Sequence, residues 1–422
     1  MKSARDLTFA LDRVERALSE QHQRHHLLGV SLLSAIGIIS LSALVTFLTT
    51  GIAFGDRGVV GGDFLAFYTV SDLTIQGRAL EAYNQDTFNT LMQSRAQTGE
   101  LGMMWQYPPA AFFIIAPLSL LPYKLSYWVW MLTTAAIYAL SLRRLINAHE
   151  FNHQKRFIAL LFLISAPNAV GVIINGQISL LTSARLISAA FRPRSDWLIA
   201  GIAAGLLTIK PQLGLLLPGI FIVAGAWKAF GTAAAVTIVL HTGACLVFGP
   251  ESFVSFVNAV DRLQSDMLGA GALTPSVSMT TVFGQMQVWG ASKTVSLVAQ
   301  FSLAISLFVV ITWEWQRRAR SNDDPLYLAT IACAGAILVT PYAYAYEMAA
   351  LAPAGLWFAI SRHRLNRYSI SILSFFWALL SLRRIIPPDF VLQFAFLASL
   401  GALGLALYAS RVHANMSRAI HR

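Results

Sequence analysis

The sequence predicts an all-α, polytopic integral membrane protein with about twelve transmembrane helices and no separate soluble domain. Composition carries the first part of that expectation: 56% of the 422 residues are hydrophobic and 12% are charged, where a soluble globular chain carries about 25% charged residues. The mean hydropathy is +0.59. Apolar runs close to the roughly 20 residues that a bilayer requires recur from Leu27 to the C-terminus. Basic residues fall between these runs with a strong bias to one side, and that bias sets the orientation.

Before the first run, Leu7, Leu11, Val14 and Leu18 recur at helical spacing beside Arg5, Arg13 and Arg16. This pattern suits a helix lying on the cytoplasmic membrane surface. The first apolar stretch begins near His26, is long and has no convincing small-residue cleavage site, so it reads as an uncleaved first helix. Expected spans are 27–53, 125–142, 157–173, 178–191, 197–209, 213–226, 229–248, 294–313, 326–341, 346–361, 369–384 and 390–410. The chain thus divides into a cytoplasmic tail (1–26), one transmembrane domain (27–410) and a second cytoplasmic tail (411–422). With the N-terminus inside, 22 of the 31 Lys and Arg residues lie in cytoplasmic segments and nine in outer ones. Both termini inside is therefore a consistent solution, and it matches a bacterial inner membrane with the long loops facing the periplasm or exterior. The net charge of +11 is scattered among the spans, which fits membrane topology better than nucleic acid. Cys245 and Cys333 both fall inside apolar runs and read as packing residues.

Two outer segments stand apart by length. Residues 51–108 hold six acidic residues against three arginines, and 249–293 is rich in Thr, Ser and Gly. Long loops without a domain of their own are usually functional or disordered. The apolar stretch 110–121 that follows the first is too short to span and is expected to lie in the interface or re-enter the membrane.

The polar groups that call for explanation are on that same side. Asp63, in Gly61-Gly62-Asp63-Phe64, is either a partly desolvated carboxylate suited to act as a base or the N-cap of a helix over 64–76. Trp105-Gln106-Tyr107-Pro108-Pro109 reads as an interfacial anchor or as a rigid aromatic wall, since tandem prolines force an extended entry. Asn175-Gly176-Gln177 is a turn signal. Lys210-Pro211-Gln212 places a cation inside an apolar run. That costs on the order of 3 kcal/mol and calls for an anionic partner unless the lysine snorkels. Residues 341–347 add a second carboxylate, Glu347, to a ladder of Tyr342, Tyr344 and Tyr346. None of the nine histidines falls in an outer loop, and neither zinc spacing nor a phosphate-binding P-loop is present. What remains outside is carboxylates, a lysine, amides and aromatics, an inventory suited to carbohydrate chemistry. A transporter or flippase of lipid-linked sugars is the rival reading, and it would predict inverted repeats and charges near the midplane. A non-catalytic subunit of an envelope assembly complex is a second.

At these residues the sequence resembles glycosyltransferase family 87, a GT-C-type family of membrane mannosyltransferases. The resemblance rests on Gly62-Asp63-Phe64 with Tyr68, Gly77, Tyr83, Tyr107-Pro108-Pro109, Pro117-Leu118, Leu121-Pro122, Asn175-Gly176-Gln177 and Lys210-Pro211-Gln212, in that order. It implies a GT-C-like fold and inverting transfer of a sugar, usually mannose, from a polyprenyl-phosphate donor to a lipid or glycan acceptor outside the cytoplasm. Asp63 would be the general base. Lys210, helped by Arg383 or Arg384, would neutralise the donor phosphate, while Asn175, Gln177, Gln212 and Tyr107 would bind sugar or phosphate. A monophosphate donor implies neither metal nor cofactor. Many family members carry histidines where Tyr, Ala and Glu stand at 341–347, which leaves the acceptor open.

Overall fold

The computed structural model describes residues 61–96, 104–148, 169–267, 279–318, 324–361, 396–397 and 399–408. The amphipathic tail, the first span, the span at 369–384, and Arg383 and Arg384 lie outside the described residues. Among those described, the protein is all helical. One isolated antiparallel bridge, Met279 with Tyr344, is the extended pairing present there.

Helices of seven residues or more are numbered here in chain order. They are α1 (Gly62–Ile75), α2 (Gln85–Ala96), α3 (Tyr123–Asn147), α4 (Ala169–Asn175), α5 (Ser179–Ala190), α6 (Trp197–Leu206) and α7 (Leu217–Val223). Next come α8 (Trp227–Phe248), α9 (Glu251–Met267), α10 (Val282–Val288), α11 (Lys293–Arg318), α12 (Pro325–Val339), α13 (Ala352–Ser361) and α14 (Ser399–Tyr408). Three of them, α3, α8 and α11, are long and apolar enough to cross a membrane. The 22 residues of α8, at 1.5 Å each, extend about 33 Å and match a hydrocarbon core of about 30 Å. Shorter apolar helices fill Trp197–Ile209, Pro211–Val223 and Pro325–Val339.

Large apolar side chains are left on the surface, as on helices that face a bilayer. On α8 they include Ile238, Val239, Leu246 and Val247, and on α11 Val295, Val298, Phe301 and Ile305. Patches of this size are untenable in water and ordinary in a bilayer. Small residues bring α6 onto α8. A Cβ at Gly201 would stand 2.5 Å from Thr232 Cβ, and one at Gly205 2.6 Å from Val236 Cβ. This is the close backbone approach that two glycines four residues apart permit between membrane helices.

Ends are set by local chemistry. Extended Pro122 starts α3, and Gly249, at φ 78°, ends α8. Asp324 caps α12, accepting from Tyr327 N at 3.1 Å, while Trp357 Nε1 donates to its other oxygen at 2.8 Å. The segment 51–108 is less loop-like than its length implied, since it contains α1 and α2. Among the described residues, two large apolar cores result, with a small third cluster of Met279, Phe283 and Tyr344. One gathers α5, α7, α12 and α13. The other is rich in aromatic residues and surrounds α1 with Tyr83, Trp105, Tyr107, Phe112, Tyr127 and Trp130.

Candidate active site

The site is built where α1 starts. Gly61, at φ 77°, is the N-cap of that helix. A Cβ there would stand 2.8 Å from the Tyr127 ring, so this close approach requires glycine. Asp63 lies inside the first turn, and the N-cap position falls to Gly61 and not to Asp63. Its half-buried carboxylate instead accepts from Gln177 Nε2 at 3.2 Å.

Gln177 comes from the Asn-Gly turn between α4 and α5. Gly176 makes that turn at φ 69°, and a Cβ on it would come 2.3 Å from Phe64 Cβ. The turn is tied to α3, since Trp130 Nε1 donates to Gly176 O at 3.1 Å and Tyr127 OH to Ile173 O at 2.6 Å. The buried Gln177 Oε1 accepts from Ile178 N at 2.8 Å and from Tyr107 OH at 3.2 Å. Those two donors fix the amide so that its NH₂ faces Asp63. Gly176→Ala combines a disfavoured φ with a collision against Phe64. We expect it to lower stability by about 1–3 kcal/mol and to cut transfer by pulling Gln177 from Asp63. Detergent melting curves read beside transfer rates check both effects.

Tyr107 is held through its backbone by Tyr83 OH at 2.8 Å, ahead of the extended Pro108. Burial, reinforced by Glu347 and Asp63, pushes its phenol well above the ordinary tyrosine range. It therefore stays a proton donor at neutral pH. Trp105 is 3% exposed and packs on Phe67, Tyr107 and Phe112. The interfacial-anchor reading gives way to a wall inside the protein.

Lys210 sits where a helix breaks. A 3₁₀ turn over Leu207–Ile209 ends at Lys210, with φ −136° and ψ 69°, and Pro211 opens another turn over Pro211–Gly214. Proline supplies no N–H to continue a helical ladder and holds the residue before it extended. The Lys210 side chain is 5% exposed and is ion-paired with Glu347, itself 1% exposed. Its Nζ lies 4.7 Å from the Tyr346 ring centroid and 5.8 Å from that of Tyr107. The partner demanded by the sequence is therefore found, and snorkelling is not. Glu347 is fixed in turn by Tyr344 N, which donates to Oε2 at 2.9 Å and opens the 3₁₀ turn Ala345–Leu351.

Gln106, Tyr107, Lys210, Gln212, Tyr344 and Tyr346 surround a narrow polar crevice. One continuous line of contacts runs from Asp63 through Gln177 and Tyr107 to Lys210 and Glu347. Asn175, at the end of α4, is exposed and stands apart from that crevice. Tyr127 and Trp130 were not singled out in the sequence. The available signal was the run of hydrogen-bonding aromatics Tyr127, Trp128 and Trp130 near the start of the span 125–142.

Among the described residues the protein is all helical, with apolar helices long enough to cross a bilayer and a buried cluster of carboxylate, amide and ion-paired lysine: the class is a helical membrane protein. The chain belongs to glycosyltransferase family 87, whose model matches residues 105–341. It is 24% identical over 313 residues to the polyprenol-phosphate-mannose-dependent alpha-(1-2)-phosphatidylinositol pentamannoside mannosyltransferase of Mycobacterium tuberculosis, a match covering 71% of this chain and 67% of that protein. No solved structure matches the chain. Family and relative together support glycosyltransferase activity.

Proposed function

We propose that the protein is an inverting hexosyltransferase that moves mannose from a polyprenyl-phosphate donor to a hydroxyl of a lipid or glycan acceptor. The reaction would take place on the outer face of a bacterial inner membrane. The acceptor oxygen bonds to the anomeric carbon, the bond from that carbon to the phosphate oxygen breaks with its electron pair, and Asp63 receives the proton. Lys210 is the cation for the donor phosphate, with Arg383 and Arg384 assisting. Gln177, Gln212, Asn175 and Tyr107 contact sugar or phosphate. This reading includes about twelve spans in one domain over 27–410, both termini cytoplasmic, and 51–108 and 249–293 outside. The observation that carries it is the line joining Asp63 to a buried, paired lysine through Gln177 and Tyr107. It pairs a base with a cation, as transfer from a phosphate leaving group needs. Purified protein supplied with radiolabelled polyprenyl-phosphate mannose and a membrane lipid extract should release polyprenyl phosphate and a labelled product. A transporter would leave the donor intact.

A second observation favours a lipid-linked donor. The segment that carries Lys210 also walls an apolar cavity of about 490 Å³ on its other side, lined by Leu207, Pro211, Leu215, Phe221, Phe230 and Ile238. An amphiphile with an anionic head and an apolar tail fits both sides of that segment. Ala234, on α8, also lines this cavity. Ala234→Trp should therefore raise the KM for a long polyprenyl donor about tenfold, the loss of roughly 1.4 kcal/mol of apolar contact, and spare a two-isoprene donor. Equal effects on both donors would detach the cavity from donor binding.

A further inference from the structure

Lys210 and Glu347 form a buried, charge-neutral unit, with side-chain exposures of 5% and 1%. The donor of the proposed reaction is a phosphodiester carrying one negative charge. If it docks on Lys210 while Glu347 stays ionised, two buried anions share one cation. If Lys210 turns wholly to the phosphate, Glu347 remains as an uncompensated buried charge. Either outcome is costly, because a buried ion is tolerated only when paired.

Glu347 has a cheaper course. Its Oε2 accepts a backbone N–H from Tyr344, a bond that a neutral carboxylic acid retains, and its Oε1 faces Lys210. We propose that Glu347 is a counter-anion holding the phosphate's place beside Lys210, and that donor binding carries one proton onto it. The balance is one donor anion and one proton taken up, leaving Lys210 as an ammonium, Glu347 as an acid and the phosphodiester unaltered. The count is the same wherever the proton sits within the free pair, which holds one titratable proton before binding and two after. This rests on the donor proposed above and goes beyond it by fixing a charge requirement.

The groups facing Glu347 are few. Besides Lys210 they are the phenols of Tyr107, Tyr344 and Tyr346, with Asp63 beyond Gln177. The helices packed on its turn are α4, α5, α12 and α13. The first and the last two contain no charged residue, and Arg185 of α5 donates to Leu206 O. Among the described residues, Glu347 is thus the carboxylate placed to take the proton.

Calorimetric titration of the full-length protein with decaprenyl-phosphate mannose, in two buffers of different ionisation enthalpy, counts the protons. Near pH 7.5 about one proton should be taken up per donor bound, and Kd should rise about tenfold for each pH unit above neutrality. Glu347→Gln should abolish the uptake and flatten the pH profile. Because that change leaves Lys210 without its anion, the neutral pair Lys210→Met/Glu347→Gln serves as a folded control, expected to bind weakly and without uptake. Tight binding with no buffer dependence in the unaltered protein, or proton release, overturns the proposal while leaving the donor assignment intact. Absence of any binding removes the donor reading and this inference with it.

Discussion

Asp63→Asn should abolish sugar transfer in a protein that still folds and inserts normally. An acceptor hydroxyl is a poor nucleophile at neutral pH, and general-base catalysis typically contributes 10²–10⁴-fold. Asparagine keeps the shape of the side chain, and its oxygen can still accept from Gln177 Nε2, which stands 3.2 Å from Asp63 Oδ2. What it loses is the capacity to take a proton. It also loses the favourable placing of a carboxylate in the first turn of α1, but that interaction is worth only about 0.3–1 kcal/mol of stability. The two contributions are therefore separable by magnitude. Single-turnover measurements with bound donor give the rate, and melting in detergent gives the stability. Turnover within a few-fold of the unaltered protein would rule out Asp63 as the base.

Lys210→Met carries the second large effect, and it acts twice. Loss of a charge-assisted contact to the donor phosphate should raise the donor KM about 30-fold, equivalent to roughly 2 kcal/mol. Removing the cation also strands Glu347, 1% exposed. Breaking one side of a buried pair typically costs about 3–5 kcal/mol. The double change Lys210→Met/Glu347→Gln should recover most of the stability and none of the KM, and this split separates the structural partner from the donor-binding cation. Lys210→Arg should restore only part of the activity, since the planar guanidinium differs in shape and hydration. Unaltered donor kinetics in Lys210→Met would confine the lysine to holding Glu347.

Much of this was legible in the sequence where a residue violated its surroundings. A lysine in an apolar run calls for an anionic partner unless it snorkels, so that choice, but not a carboxylate, was legible from Lys210 alone. That Glu347 is the partner depends on how the turn at Ala345–Leu351 packs against α5, which no local pattern records. A helix over 64–76 was legible within the long first outer segment, and α1 (Gly62–Ile75) matches it; how deeply that helix is buried was not. Phe64, Leu65, Ala66, Phe67, Val70 and Leu73 are all buried, so the helix is enclosed nearly all round. Asp63 looked like a cap because aspartate favours that position. Gly61 takes it because Tyr127 leaves no room there for a Cβ. The short apolar runs at 197–209 and 213–226 were expected to be independent spans. Two shorter apolar helical segments, Trp197–Ile209 and Pro211–Val223, stand there, separated at Lys210 and Pro211 because proline interrupts the ladder.

The anchoring of both glycine turns on α3 has a mechanical consequence. Gly61 rests against the Tyr127 ring, and Gly176 accepts from the Trp130 indole, so Asp63 and Gln177 are both referenced to a single rigid rod. A bilayer that thickens, thins or bends imposes tilt on α3 as a whole. The carboxylate and the amide then travel together, and their spacing survives deformations that would misalign two groups mounted on separate helices.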